Sequence, residues 1–349
     1  MPSPRGPRER FEAAAASLIL RLPAPLVRRL AGKPVRIDGQ ELHPQVQIAL
    51  RLAELSGGSD LIPVPEARAR RRRDARVFAG KRIDLPRVEN LELPGPAGPL
   101  AARLYAPAPT ADMQPLIVYF HGGGHVLGDL DTHDQPCRFL AREIPAHVLS
   151  VEYRLAPEHP FPAAVNDAHT AFRWARDNAQ RLGADPDRVA VAGDSAGANL
   201  AAVVCQLARA EGGPSPSFQA LIYPVIDLSS RRRSHELFGT GFFLTDEEMG
   251  WFTDHYLPSA ADREDPRASP ILAEDLSGLP PAHVVTAGFD PLRDEGEAYA
   301  ERLREAGVPV TLRRESDLVH GFINVVGLGG RAREAMDPIA AALRHGLVP

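Results

Sequence analysis

Apolar and polar residues divide the chain into a helical N-terminal segment and a body in which short strands alternate with helices. Before residue 86, apolar side chains recur at the spacing of amphipathic helices, and prolines separate the repeats. This spacing predicts helices over residues 9–22, 24–31 and 43–55, and a further helix that carries an arginine cluster. No strand pattern appears before Val88, so residues 1–85 are expected to be all-helical.

Residues 86–226 follow a different pattern. Two short runs around a Pro-Gly turn predict an antiparallel hairpin over residues 87–93 and 100–105. A continuous apolar run, typical of a strand covered on both faces, follows at residues 115–120. Further strands are predicted at residues 147–153, in the stretch from Arg188 that leads into Gly193, and at residues 218–225. Helical stretches separate them at residues 135–143 and 163–181, and one more ends near residue 210. This alternation favours a parallel sheet with right-handed crossovers.

The alternation lapses over residues 227–279, which are polar and contain a helical patch at residues 245–256 but no convincing strand. A stretch this long between strands is better explained as an insertion than as a loop. Strands are expected again at residues 282–289 and 308–314, and helices at residues 294–306 and 331–345. The core is therefore predicted in two parts, 86–226 and 280–349. The N-terminal segment either covers this core as a lid or only packs against it.

One stretch joins an apolar strand to a helix through Gly193-Asp194-Ser195-Ala196-Gly197. This is the layout of a nucleophile elbow, in which glycines allow strand and helix to approach closely and the helix N-terminus adds free N–H groups beside the serine. A turn that opens a packed helix would have the same sequence. The surrounding residues therefore decide between the two interpretations.

A serine nucleophile needs a base and an acid that orients the base. Asp290 directly follows the strand at residues 282–289, and His320 lies in the loop after the strand at residues 308–314. Active groups collect at the carboxyl ends of parallel strands, and the order serine, aspartate, histidine is that of α/β-hydrolases. Asp294 and Asp317 compete with Asp290, but they lack its strand-end position.

Composition excludes several classes of function. The net charge of −5 argues against a nucleic-acid partner. The arginine cluster comprises Arg68, Arg70, Arg71, Arg72 and Arg73. It has acidic neighbours and no interleaved aromatic residues, so it is expected to be a solvated helix face. Two cysteines make no disulfide framework, and no apolar run reaches the length of a membrane span, so a cytoplasmic protein without stable membrane insertion is predicted. The sequence shows no metal-ligand spacing, and the expected chemistry needs no cofactor.

Six motifs from about residue 100 to residue 322 resemble the hormone-sensitive-lipase-like carboxylesterases, the bacterial family IV of the α/β-hydrolase superfamily. The first is His121-Gly122-Gly123-Gly124, whose glycines free successive backbone N–H groups to point into one cavity. The others are the stretches at residues 128–134 and 153–163, the elbow at 193–197, Asp-Pro-Leu-Arg-Asp-Glu at 290–295 and His-Gly-Phe at 320–322.

The resemblance implies an α/β-hydrolase fold, with a mostly parallel central sheet of about eight strands flanked by helices and covered by a helical cap. The cap would comprise residues 1–85 and the insertion at 227–279. The resemblance also implies the triad Ser195, Asp290 and His320. By similarity, the oxyanion hole uses the N–H groups of Gly123, Gly124 and Ala196, with Gly122 as an additional candidate.

The substrate pocket is expected to include His125 and Phe322. His125 departs from the family, because many relatives carry an aromatic residue directly after the glycine motif, so the pocket wall is expected to be more polar. Ala198 stands where many relatives have a second glycine after the elbow, which is expected only to tighten helix packing.

These features predict a serine carboxylic-ester hydrolase that acts on small esters of short-to-medium acyl chains through an acyl-enzyme. An amidase or peptidase would use the same groups. A small-molecule receptor on this fold is a third alternative, but such receptors have lost the catalytic histidine, which is present here as His320. The expected partner is a small-molecule ester, and the expected assembly is a monomer or homodimer.

Overall fold

The computed structural model describes residues 22–56, 61–110 and 112–347, together with residues 6, 9, 13 and 14. The helix predicted over residues 9–22 lies almost entirely outside the described residues. The N-terminal elements that follow are α1 (Ala24–Ala31), β1 (Arg36–Ile37), β2 (Gln40–Glu41), α2 (Pro44–Ser56) and α3 (Val64–Phe78).

The expectation of no strand before Val88 is wrong, because β1 and β2 pair as a small antiparallel hairpin. Asp38 and Gly39 form its turn, with φ angles of 54° and 74°. An Asp-Gly pair is a favoured two-residue hairpin turn because both positions tolerate positive φ. The signal was therefore present in the sequence, but two-residue strands are too short to show a hydrophobic pattern.

Eight strands form the central sheet. In chain order they are β3 (Arg87–Gly95), β4 (Gly98–Ala106), β5 (Gln114–Phe120), β6 (His147–Val151), β7 (Ala184–Asp194), β8 (Gln219–Ile222), β9 (Ala282–Phe289) and β10 (Val310–Val319). Their order across the sheet is β10-β9-β8-β7-β5-β6-β4-β3. The pairs β3–β4 and β4–β6 are antiparallel and the other neighbours are parallel. The predicted fold class, a mostly parallel sheet flanked by helices, is confirmed.

Helices cover both faces of this sheet. They are α4 (Asp134–Glu143), α5 (Ala163–Asp177), α6 (Ala179–Leu182), α7 (Ala196–Ala210), α10 (Arg293–Glu305) and α11 (Gly330–Leu347). Two further helices, α8 (Arg233–Phe238) and α9 (Asp246–Tyr256), lie in the segment between β8 and β9. Alternate residues of β5 enter opposite cores: Val118 packs on the side of α5, α7 and α10, while Ile117 packs on the side of α4 and α11. Both faces of β5 are buried, which explains its unbroken apolar run. No helix among the described residues has the length and apolar character needed to span a bilayer.

The arginine cluster on α3 is not the solvated face that its charge predicted. Arg68 donates to the carbonyl of Val126 at 2.9 Å and pairs with Glu158 at 2.7 Å. Arg72 pairs with Asp129 at 2.5 Å, in the loop that follows the glycine motif. Periodicity shows which side chains of a helix share a face, but it does not show what that face contacts. Here Arg68 and Arg72 bond to residues of the predicted core.

Candidate active site

Ser195 occupies the turn between β7 and α7. Its backbone has φ 54° and ψ −120°, outside the regions that non-glycine residues usually adopt. The flanking glycines are required by space: a Cβ on Gly197 would lie 2.0 Å from the carbonyl oxygen of Phe120, and one on Gly193 would lie 2.4 Å from the backbone of Gly197. The elbow sequence therefore folds as a sharp strand-to-helix turn that lifts the serine out of the sheet.

The three residues predicted as a triad come together at the carboxyl ends of β7, β9 and β10. Ser195 Oγ lies 3.0 Å from Nε2 of His320, although the two residues are 125 positions apart in the sequence. Nδ1 of His320 lies 2.8 Å from Oδ2 of Asp290. The Asp290 carboxylate is fully buried, and its Oδ1 accepts a hydrogen bond from the N–H of Leu292 at 2.9 Å. The buried carboxylate is thus held against the imidazole by its own loop.

The competing aspartates lie elsewhere. Asp294 accepts from the N–H of Ser234 at 2.8 Å and contacts Arg293, and Asp317 pairs with Arg331 at 2.9 Å. Of the three candidate acids, only Asp290 has a carboxylate hydrogen-bonded to His320.

The glycine motif follows β5 and lies beside the elbow. Gly123 and Gly124 have φ angles of 126° and 61°, and no acceptor among the described residues is paired with either N–H group. Gly122 differs, because its N–H donates to Oδ1 of Asp194 at 3.0 Å. Gly122 is therefore not available as an oxyanion donor, which leaves Gly123, Gly124 and Ala196 as the candidates.

A buried polar network that the sequence reasoning missed supports both loops from below. Besides Gly122, the Asp194 carboxylate accepts from the hydroxyl of Tyr119 at 2.7 Å and lies 3.3 Å from Nε2 of His133. Burial on its own would raise the pKa of Asp194, but His133 and Tyr119 outweigh it and the pKa falls to about 2. Asp194 therefore ties the elbow to the glycine motif as a buried, ionised carboxylate.

A cavity of about 1170 Å³ opens above Ser195. Its walls come from α2, α3, α8, α9, the glycine motif and the loop after β10. The ring of His125 stacks on Tyr256 of α9 at a centroid distance of 3.9 Å, and both of its nitrogens are buried. His125 thus contributes an aromatic face to the wall. Phe322 also lines the cavity and packs edge-on against Tyr223.

Glu295 of α10 also lines this cavity, and its side chain is buried. Oε1 accepts from the N–H groups of Ile226 at 2.7 Å and Asp227 at 3.3 Å, while Oε2 has no hydrogen-bond partner. Burial raises the pKa of Glu295 from 4.5 to about 8. The carboxyl group is therefore mainly protonated at neutral pH. Within the described part of the chain, this cavity included, no group of three or more potential ligand side chains is arranged to hold a metal ion.

Glu295→Gln is expected to make stability less sensitive to pH. Because the folded state holds this proton more tightly than the unfolded chain, the contribution of Glu295 to stability is fully present below pH 4.5 and is lost as the pH rises to about 8. Glutamine keeps the Oε1 acceptor but does not titrate. The melting temperature of the variant relative to wild type should therefore rise with pH across this window. Glu305→Gln, at the exposed end of the same helix, is the control, and equal pH profiles for both variants would contradict the prediction.

The glycine motif, the elbow, Asp290 and His320 lie within the part of the chain that a known family matches. A family model described as "alpha/beta hydrolase fold" matches residues 117–324, more than half of the chain. The chain belongs to this family. It is 49% identical over 333 residues to the carboxylic ester hydrolase LipN of Mycobacterium tuberculosis, covering 93% of this chain and 88% of LipN. It is 38% identical to the ethyl acetate hydrolase of Pseudomonas putida, covering 88% of this chain and 99% of that enzyme.

Comparison with a solved structure supports the same family. An ester hydrolase from the metagenome of Lake Arreo, complexed with a derivative of bipyridine phosphonate, superimposes with a TM-score of 0.84. The two chains are 43% identical, and the match covers 87% of this α/β-hydrolase and 98% of that chain. The predicted family is thus confirmed, and the protein is an enzyme of the carboxylic ester hydrolase class.

Proposed function

We propose that this α/β-hydrolase cleaves small carboxylic esters with Ser195 as nucleophile, His320 as base and Asp290 as the acid that orients the base. The continuous chain of contacts from Ser195 Oγ through His320 to the buried Asp290 carboxylate, at 3.0 and 2.8 Å, supports this assignment. A histidine whose Nδ1–H donates to Asp290 presents an unprotonated Nε2 to the serine hydroxyl.

In the first step Ser195 Oγ attacks the ester carbonyl carbon while His320 takes the hydroxyl proton. The carbonyl oxygen becomes an oxyanion that accepts from the N–H groups of Gly123, Gly124 and Ala196, none of which is paired with another described residue. His320 then gives its proton to the leaving alcohol, and an acyl-enzyme remains. Water attacks the acyl carbon, His320 takes a proton from that water, and the acid is released as Ser195 regains its proton.

We also propose that residues 1–85 and 227–279 act as a cap over a core made of residues 86–226 and 280–349. Phe252 of α9 lies directly over the glycine motif, because a Cβ on Gly124 would fall 2.2 Å from its ring. Helices α2 and α3 also contribute to the walls of the same cavity. The lining residues that the structure describes in both segments support their assignment as a cap.

A partly enclosed cavity of this volume suits small esters of short-to-medium acyl chain better than lipid aggregates. The relative named ethyl acetate hydrolase supports the same substrate class. A small-molecule ester is therefore the proposed partner of the site.

A series of 4-nitrophenyl esters from acetate to palmitate tests this substrate class. We expect the highest kcat/KM between acetate and octanoate and a steep fall towards palmitate, because a long chain outgrows the covered cavity. The anilide that matches the best ester is the control for amidase activity and should be cleaved far more slowly. Highest activity on palmitate, or equal rates on ester and anilide, would overturn the proposal.

A further inference from the structure

Helix α3 turns one face towards the cavity that contains Ser195. Arg70, Arg71, Arg73 and Asp74 all line this cavity. Positions three and four apart share a helix face, so one turn of α3 delivers several charges to the same wall. The triad and its oxyanion donors use none of these charges.

Arg71 differs from the other arginines of the cavity, because it forms no hydrogen bond or ion pair with any residue that the structure describes. Arg70 interacts electrostatically with Glu248: burial raises the pKa of Glu248, and the positive charge of Arg70 offsets part of that rise. The remaining arginines each contact a carboxylate: Arg73 pairs with Asp74, Arg231 with Asp246, Arg263 with Asp254 and Arg331 with Asp317.

The charge of Arg71 reaches the groups directly beneath the triad. The pKa of Tyr223 is raised, first by burial and then by Asp194, while Arg71 acts in the opposite direction. The ring of Tyr223 lies 4.5 Å from the ring of His320. Arg71 also contributes, after His133 and Tyr119, to the low pKa of Asp194. Its guanidinium therefore adds positive charge to the wall of the same cavity that contains Ser195 and His320.

The acids of the cavity are already engaged. Asp227 accepts from the hydroxyls of Ser229 and Ser230, both at 2.6 Å, and Asp74 contacts Arg73 at 2.9 Å. Glu295 is mainly protonated at neutral pH. A partly buried guanidinium is best stabilised by a planar partner with two oxygens, and the described residues do not supply one for Arg71.

We propose that Arg71 binds a carboxylate carried by the ester substrate, so that the enzyme prefers anionic esters to neutral esters of the same size. This inference rests on the proposed ester hydrolysis. The reaction is otherwise unchanged: one water is consumed, the ester C–O bond breaks, and an acid and an alcohol are released, one of which carries the additional carboxylate. The carboxylate could lie on the acyl part or on the alcohol part of the ester.

Two pairs of esters separate these sources, with turnover followed by pH-stat titration. Monoethyl succinate against ethyl butyrate places the anion on the acyl part, and 4-acetoxybenzoate against phenyl acetate places it on the alcohol part. The measured quantity is the ratio of kcat/KM for the anionic ester to that for its neutral partner. In Arg71→Gln this ratio should fall about ten-fold or more in one pair, mainly through KM, as expected for a lost charge-assisted hydrogen bond. Arg71→Lys should lie between this variant and wild type.

Arg231→Gln is the matched control, because it also removes one positive charge from the cavity wall. Arg231 is largely exposed and paired with Asp246, so its loss should change the ratio by no more than about two-fold. An unchanged ratio in both pairs for Arg71→Gln, or an equal fall for Arg231→Gln, would overturn the assignment of Arg71. Failure of wild type to cleave any of the four esters would instead overturn the proposed function.

Discussion

Ser195→Ala is expected to reduce kcat for a short-chain aryl ester by a factor on the order of 10⁴ to 10⁶, the range found when a serine hydrolase loses its nucleophile. The variant keeps the oxyanion donors and the cavity, but no hydroxyl remains 3.0 Å from His320 to form the acyl-enzyme. KM should change little, because the methyl group of alanine fits the same space.

The measurement is steady-state hydrolysis combined with labelling by a fluorophosphonate, which forms a covalent bond with an activated serine. Wild type should be labelled and Ser195→Ala should not. Ser229→Ala is a suitable control, since Ser229 lines the same cavity but donates its hydroxyl to Asp227. Wild-type hydrolysis by Ser195→Ala would exclude Ser195 as nucleophile, and absence of labelling in wild type would revive the receptor alternative.

Asp290→Asn is expected to lower kcat by about 10⁴, as the equivalent change does in serine proteases. The amide keeps the size of the carboxylate and can still accept from Leu292. It cannot stabilise the imidazolium that forms during attack, and its NH₂ group favours the tautomer of His320 with the proton on the wrong nitrogen. The loss should appear in kcat more than in KM.

Asp317→Asn is the matched control. It likewise removes one carboxylate, here from the strand that leads to His320, but Asp317 pairs with Arg331 and not with the imidazole of His320. Circular dichroism should show that both variants are folded. If Asp317→Asn were the inactive variant and Asp290→Asn retained activity, the acid would have to be reassigned.

Sequence reasoning reached the fold class and the residues of the candidate site because their signals are local. An apolar strand, a glycine pair around a serine, and residues at strand ends can each be read without knowing what packs nearby. Strand β10 shows the limit of this reasoning. The pattern predicts its end at Arg314, whereas β10 runs to Val319 with polar residues such as Asp317 on its course. It is an edge strand of the sheet, so one side is not covered by a neighbouring strand and polar residues are tolerated.

Contacts between distant segments were not predictable. Asp194 lies within the elbow motif, but its partners Tyr119 and His133 come from β5 and from the loop before α4. The arginines of α3 were assigned to solvent because charge and period do not indicate what a helix faces. Their partners, Glu158 and Asp129, lie 90 and 57 residues further along the chain.

The backbone of Ser195 has an evolutionary consequence. A non-glycine residue at φ 54° and ψ −120° costs about 1–3 kcal/mol of folding free energy, and the surrounding packing must compensate for it. Glycine would adopt this conformation with little cost, but it has no hydroxyl. With Ser195 as the proposed nucleophile, stability and turnover oppose each other at this position, so mutations that raise the thermal tolerance of the enzyme while keeping its activity are expected elsewhere in the chain.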